Sequence, residues 1–133
     1  MNDEFPQNLI AAARAIRPRA YAPYSNFWVG AAVLAADGQI YTGVNIENAS
    51  YGLTVCAERN AIGQMVGAGQ QQITAVAVAT NNGVTPCGAC RQVLREFASA
   101  DIPVWLISED PYTVRQTSLH QLLPDSFDQT QLQ

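Results

Sequence analysis

Three cysteines and a glutamate define the chemistry open to this chain. Cys56 lies in the run Thr54-Val55-Cys56-Ala57-Glu58-Arg59-Asn60, and Cys87 and Cys90 lie in Pro86-Cys87-Gly88-Ala89-Cys90-Arg91-Gln92. The protein has no other cysteine. Three thiolates and a nearby carboxylate are the parts needed to hold a zinc ion and to move protons at a water activated there. A CxxC pair alone is equally the mark of a thioredoxin-like redox site, with Cys56 then a core residue. That alternative leaves Glu58 without a role, so the metal reading is preferred.

A zinc ion with four protein ligands is structural, whereas three ligands leave a position open for catalysis. His120, the only histidine, would close the site as Cys3His. It sits in Ser118-Leu119-His120-Gln121-Leu122-Leu123, which reads as an ordinary amphipathic helix, and this favours the open site. Three thiolates and one zinc ion sum to one negative charge, which hinders hydroxide binding. Arg59 and Arg91 directly follow Glu58 and Cys90, and either could donate to the sulfurs and withdraw charge.

The elements that must position these groups follow from periodicity. Leu9, Ala13, Ile16 and Ala20 recur at helical spacing, so a helix is expected over Asn8 to Arg17, ended by Pro18. Phe27 to Ala35 and Gln39 to Val44 are apolar and β-branched, with Asp37-Gly38 between them, and read as a hairpin. A polar loop over Asn45 to Gly52 leads to Thr54, a candidate helix cap, and to a helix from Cys56 to Val66 stopped by Gly67 and Gly69. Ile73 to Ala79 and Val104 to Ile107 are continuous apolar runs, as in strands buried on both faces.

Between those two strands, Cys87 to Phe97 reads as a third helix. The strand, helix, strand order implies a parallel pair with a crossover, and the hairpin ahead of it makes the sheet mixed. Tyr112 to Gln116 reads as an edge strand, Leu119 to Leu123 as a short helix, and residues 128–133 as a loose tail. Residues 1–133 form a single domain. Cys56 then starts one helix, while Cys87 and Cys90 lie in the first turn of another, where the helix N-terminus favours thiolates.

Composition narrows the partners. Hydrophobic residues make up 48% and charged residues 14%, which excludes a disordered chain and hints at buried subunit interfaces. Formal net charge is −4, every basic residue is an arginine, and the arginines are scattered. A polynucleotide partner is therefore disfavoured and a small neutral substrate fits better. The acidic start Met1-Asn2-Asp3-Glu4-Phe5-Pro6 lacks the regions of a signal peptide, and no apolar run approaches a membrane span. An odd cysteine count argues against a disulfide framework, so a cytoplasmic setting is expected.

These residues resemble the zinc-dependent nucleoside deaminases, most closely the small, homotetrameric type of cytidine deaminase with three cysteines. The likeness covers nearly the whole chain: Ala22 to Ala32, Gly43 to Gly52, and both cysteine runs. It implies a three-layer α/β/α sandwich around a mixed, mostly five-stranded sheet. It implies that Cys56, Cys87 and Cys90 hold one zinc ion per subunit and that Glu58 shuttles protons between water, the ring nitrogen and the departing ammonia. Asn45 and Glu47 look like the pair holding the ribose 3′-hydroxyl. Phe27 resembles the aromatic against the pyrimidine, Ala57 a backbone contact to the base, and Arg59 the donor to the cysteine sulfurs. Phe127, Ala49 and Tyr51 look like contributions to a neighbouring subunit's site. The segment after Ile107 matches the family loosely.

The function implied is hydrolytic deamination of free cytidine and 2′-deoxycytidine to the uridine forms, in pyrimidine salvage. A deaminase of a modified cytosine nucleoside of the blasticidin type is the alternative within the enzyme class. A zinc-stabilised interaction module without catalysis is the alternative outside it.

Overall fold

The computed structural model describes residues 5–132. Its strands are β1 (Gly30–Ala35), β2 (Ile40–Val44), β3 (Ile73–Thr80), β4 (Pro103–Glu109) and β5 (Tyr112–Ser118). Its helices are α1 (Phe5–Ile16), α2 (Ala57–Gly67), α3 (Gly88–Glu96) and α4 (Leu119–Leu122). The strands form one sheet in the order β2-β1-β3-β4-β5. β1 runs antiparallel to β2 and β3, β3 runs parallel to β4 around α3, and β5 closes the edge antiparallel to β4. The mixed sheet and the parallel pair expected from the strand, helix, strand order are both present.

Alternation along the strands divides the core in two. Ala31, Val33, Val76, Val78, Val104 and Leu106 face α2 and α3, packing with Ile62, Met65 and Leu94. Ala32, Ala75, Ala77, Ala79, Trp105 and Ile107 face the other way, against Leu9 and Ala13 of α1. β3 and β4 are buried on both faces, which is why their sequences are unbroken apolar runs. Each fully buried leucine in these layers is worth about 2–5 kcal/mol against alanine. The result is the expected α/β/α sandwich.

Several boundaries differ from the sequence expectation for identifiable reasons. Among the described residues α1 already includes Phe5, ahead of the expected Asn8, and the Phe5 ring packs edge-on to Trp105 at 5.7 Å. The first hairpin strand starts at Gly30, not Phe27. Asn45 takes the backbone groups that a ladder would use: its Oδ1 accepts from Val29 N–H at 3.0 Å, and its Nδ2 donates to the Phe27 carbonyl at 2.8 Å. At the hairpin turn Gly38 has φ +89°, a conformation that asks for glycine. Residues 128–132, expected to be loose, end in a 3₁₀ turn over Gln129–Leu132, with Asp128 bonded to Arg95 at 2.7 Å. Gln133 lies outside the described residues. No helix among the described residues is long and apolar enough to cross a membrane.

Candidate zinc and substrate site

The site forms where α2 and α3 begin on the same side of the sheet. Cys56 and Cys87 are the N-caps of the two helices, both in extended backbone, and neither side chain is spent on capping. Thr54, expected to cap α2, instead accepts a hydrogen bond from Asn48 N–H at 3.3 Å. Cys90 lies in the first turn of α3, one helical turn before the buried Leu94, so the stripe that buries α3 also carries its sulfur inward.

The same logic buries the carboxylate. Glu58, Ile62 and Met65 recur on the core-facing side of α2, and Glu58 is 5% exposed. A close approach fixes the height of this helix over the sheet. A Cβ on Gly43 of β2 would stand 2.5 Å from the Ala57 carbonyl and 2.4 Å from Ala61 N, so only glycine lets the start of α2 settle there.

The three sulfurs converge. Cys56 and Cys87 Sγ are 3.9 Å apart, Cys87 and Cys90 Sγ 3.4 Å, and all three lie within 4.8 Å of one another. Tetrahedral zinc with Zn–S bonds of about 2.3 Å asks for sulfurs about 3.8 Å apart. The donor set therefore fits zinc in number, type and spacing. Among the described residues it is the one group of three or more such side chains placed to hold a metal ion. The His120 ring lies 3.9 Å from Asp101 and is not part of it, so the closed Cys3His arrangement is absent.

Electrostatics favour thiolate at the front of the cluster. The Cys56 thiol is pushed down to about 5, first by the hydrogen bond from Cys90 and then by Arg59 and Cys87, against the opposing effect of burial. Cys90 moves the other way, first because it is the donor to Cys56 and then because it is buried. Zinc would take the sulfurs as thiolates, with release of the protons they carry. Glu58 is pushed up to about 7, chiefly by burial and further by the negative charge at Cys56. A carboxyl group at that value can both take up and release a proton near neutrality.

Arg59 reaches Cys56 Sγ at 3.8 Å and the Thr54 carbonyl at 3.5 Å, which matches its expected contact with a cysteine sulfur. Arg91 does not make such a contact. Its guanidinium turns away to the Pro86 and Leu122 carbonyls and the Thr85 hydroxyl, because those oxygens lie within reach of its half-buried position.

A cleft of about 300 Å³ opens beside the sulfurs, at the small end of the range for small-molecule pockets. Cys56, Ala57, Glu58 and Cys87 line one part of it, and Phe27, Val29 and Asn45 another. Val78, Thr80, Val84 and Thr85 complete it; the sequence reading did not single these out. Thr80 had a usable signal, since it ends a parallel-sheet strand, where open α/β sheets place ligands.

Glu47 lies in an adjoining recess with Tyr24, Ser25, Asn48 and Tyr51, and Thr54 borders both spaces. Its carboxylate accepts from Tyr24 N–H at 3.0 Å, Ser25 N–H at 3.2 Å and the Ser25 hydroxyl, and the hydroxyl bond chiefly holds its pKa below the usual range. Ala49 is exposed and Tyr51 is 77% exposed, its ring edge-on to Tyr24. Phe127 is 53% exposed and does not line this chain's own cleft.

Residues 3–106 match the family model of the cytidine and deoxycytidylate deaminase zinc-binding region. A cytidine deaminase of Sporosarcina psychrophila is 45% identical over 95% of this chain and 93% of its own length. A probable cytidine deaminase of Dictyostelium discoideum is 44% identical over 99% of this chain and 90% of its own. The crystal structure of cytidine deaminase from Burkholderia pseudomallei superposes with a TM-score of 0.85 at 46% identity, covering 96% of this chain and all of that one. That from Mycobacterium leprae gives 0.80 at 38% identity, covering 92% of this chain and all of that one.

Proposed function

The chain belongs to the cytidine deaminase family of zinc-dependent enzymes, and on that premise we propose that it converts free cytidine and 2′-deoxycytidine to uridine and 2′-deoxyuridine with release of ammonia. The observation that carries this reading is the buried carboxyl of Glu58 in the cleft lined by Cys56 and Cys87, two of three sulfurs spaced for one zinc ion. A zinc ion on Cys56, Cys87 and Cys90, one per subunit, supplies the Lewis acid that makes water nucleophilic near neutral pH, the general chemistry of zinc nucleobase deaminases.

Glu58 does the proton work. As the water oxygen bonds to the amino-bearing ring carbon, the Glu58 carboxylate takes a proton from the water and delivers it to the adjacent ring nitrogen. A second proton from the same oxygen then goes to the amino group, the carbon–nitrogen bond breaks, and ammonia leaves. One water is consumed and the ring keeps a carbonyl. Burial, which raises the Glu58 carboxyl above the usual carboxylate range, suits a group that must be base and acid within one turnover.

The remaining roles are binding. Phe27 packs against the pyrimidine and the Ala57 backbone contacts the base. Asn45 and Glu47 hold the ribose 3′-hydroxyl, and Arg59 draws charge from the sulfurs. Ala49, Tyr51 and Phe127 complete the site of a neighbouring chain in a homotetramer. Exposed Tyr24 and Tyr51, which line the recess beside the cleft, support burial between subunits. The setting is cytoplasmic pyrimidine salvage, with no polynucleotide or membrane partner.

The test follows ammonia release from cytidine, 2′-deoxycytidine, cytosine, adenosine and blasticidin S, with Glu58→Gln as control and light scattering for the assembly. Turnover of the first two, lost in Glu58→Gln, is expected. Release from blasticidin S alone would move the substrate to a modified nucleoside, and release from none would overturn the reading.

A further inference from the structure

Two of the cysteines sit at the start of α3, and the next side chains along that helix reach away from the cleft. Arg91 Nε donates to the Pro86 carbonyl, Nη1 to the Leu122 carbonyl and Nη2 to Thr85 Oγ1, each at 2.7 Å. Each guanidinium nitrogen therefore has an oxygen acceptor at charge-assisted distance, and no carboxylate pairs with Arg91 among the described residues. Two acceptors belong to the loop that enters the cysteine turn, where Thr85 lines the cleft and the buried Pro86 immediately precedes Cys87. The third ends α4.

Contacts from α3 continue down the C-terminal segment. Gln92 Nε2 donates to the Phe127 carbonyl at 2.9 Å, and Arg95 donates to Ser126 Oγ at 3.0 Å and to Asp128 at 2.7 Å. The helix that carries Cys90 is thus also the mount for residues 122–128. Of the three side chains, only Arg91 bonds to both the cleft loop and the C-terminal segment.

We propose that Arg91 is a positioning residue that sets the Thr85–Cys87 wall of the cleft and locks it to the C-terminal segment presenting Phe127. It touches neither the sulfurs nor the cleft and acts through the oxygens it holds. A planar fork serves three separate acceptors in one plane. A lysine ammonium has no such fork, so charge alone does not replace it.

The test compares Arg91→Ala, Arg91→Lys and Arg95→Ala in the full-length, zinc-loaded protein. Amide hydrogen exchange over residues 83–91, where Gly83 N–H bonds to Thr80 Oγ1 and Arg91 N–H to the Cys87 carbonyl, and over residues 122–128, where Leu123 N–H bonds to the Leu119 carbonyl, is read beside KM and kcat for cytidine. Both Arg91 variants are expected to exchange about tenfold faster or more in both segments, with KM raised more than kcat is lowered. Added guanidinium is expected to restore protection in Arg91→Ala. Arg95→Ala is expected to loosen residues 122–128 alone. Arg91→Lys carries the test if the alanine variant does not fold. Wild-type exchange in Arg91→Lys, or loosening confined to one segment, overturns the proposal. The kinetic arm rests on the deaminase reading. Absence of wild-type turnover would overturn that reading, while exchange alone would still decide the role of Arg91.

Discussion

Replacing Glu58 by glutamine is expected to abolish turnover and at the same time stabilise the metal-free protein. The carboxyl is 5% exposed and is pushed up from 4.5 to about 7, chiefly by burial. That rise corresponds to about 3 kcal/mol of penalty on the charged form in the folded state. The sign follows from linkage. Below pH 4.5 the group is protonated in both states and costs nothing. Between 4.5 and 7 the unfolded chain ionises first, so the penalty grows as pH rises, and above 7 it is complete. Glutamine does not titrate, so its advantage over glutamate should grow through that window and level off near 3 kcal/mol, less about 1 kcal/mol for the amide's own desolvation.

Urea unfolding of metal-free protein under reductant, at pH 5 and pH 8, reads this directly. Cys56 and Cys90 couple to Glu58, so the difference between variants reports the carboxyl together with its effect on the two neighbouring thiols. Activity should fall by at least about 10²-fold, the lower bound for a lost acid–base group. A difference independent of pH, or a glutamine variant less stable at pH 8, would refute the assignment of the raised value to burial.

Cys56→Ser and Cys90→Ser should each lower bound zinc well below one per chain by elemental analysis, whereas His120→Ala should leave zinc content and turnover unchanged. Gly43→Ala places a methyl group against the α2 backbone and should cost about 1–3 kcal/mol in denaturant unfolding, with kcat reduced as the start of α2 moves. Phe127→Ala keeps the carbonyl that Gln92 holds and removes an exposed ring, so it should change stability by less than about 0.5 kcal/mol while lowering kcat/KM in the assembled enzyme.

The cysteine runs and most of the helices and strands around them were legible because local rules carry them. Cysteine spacing at a helix start, period-2 and helical stripes, and unbroken apolar runs each depend on neighbours a few residues apart. Arg91 shows where that reach ends. Its place beside Cys90 suggested a sulfur contact, yet its acceptors include Leu122, far along the chain. Asn45 is similar: it keeps Phe27 to Val29 out of the sheet through bonds from sixteen and eighteen residues away.

By itself, the sequence determined the candidate ligand types, the helices that start at them, the hairpin and the parallel strand pair, since these follow from short-range periodicity and side-chain chemistry. Tertiary structure alone decided that three sulfurs from two helices meet within 4.8 Å, that Glu58 is stripped of water, and which arginine faces the cluster. Those outcomes depend on how closely α2 and α3 pack onto one face of the sheet, a distance set by residues such as Gly43 that carry no chemistry of their own.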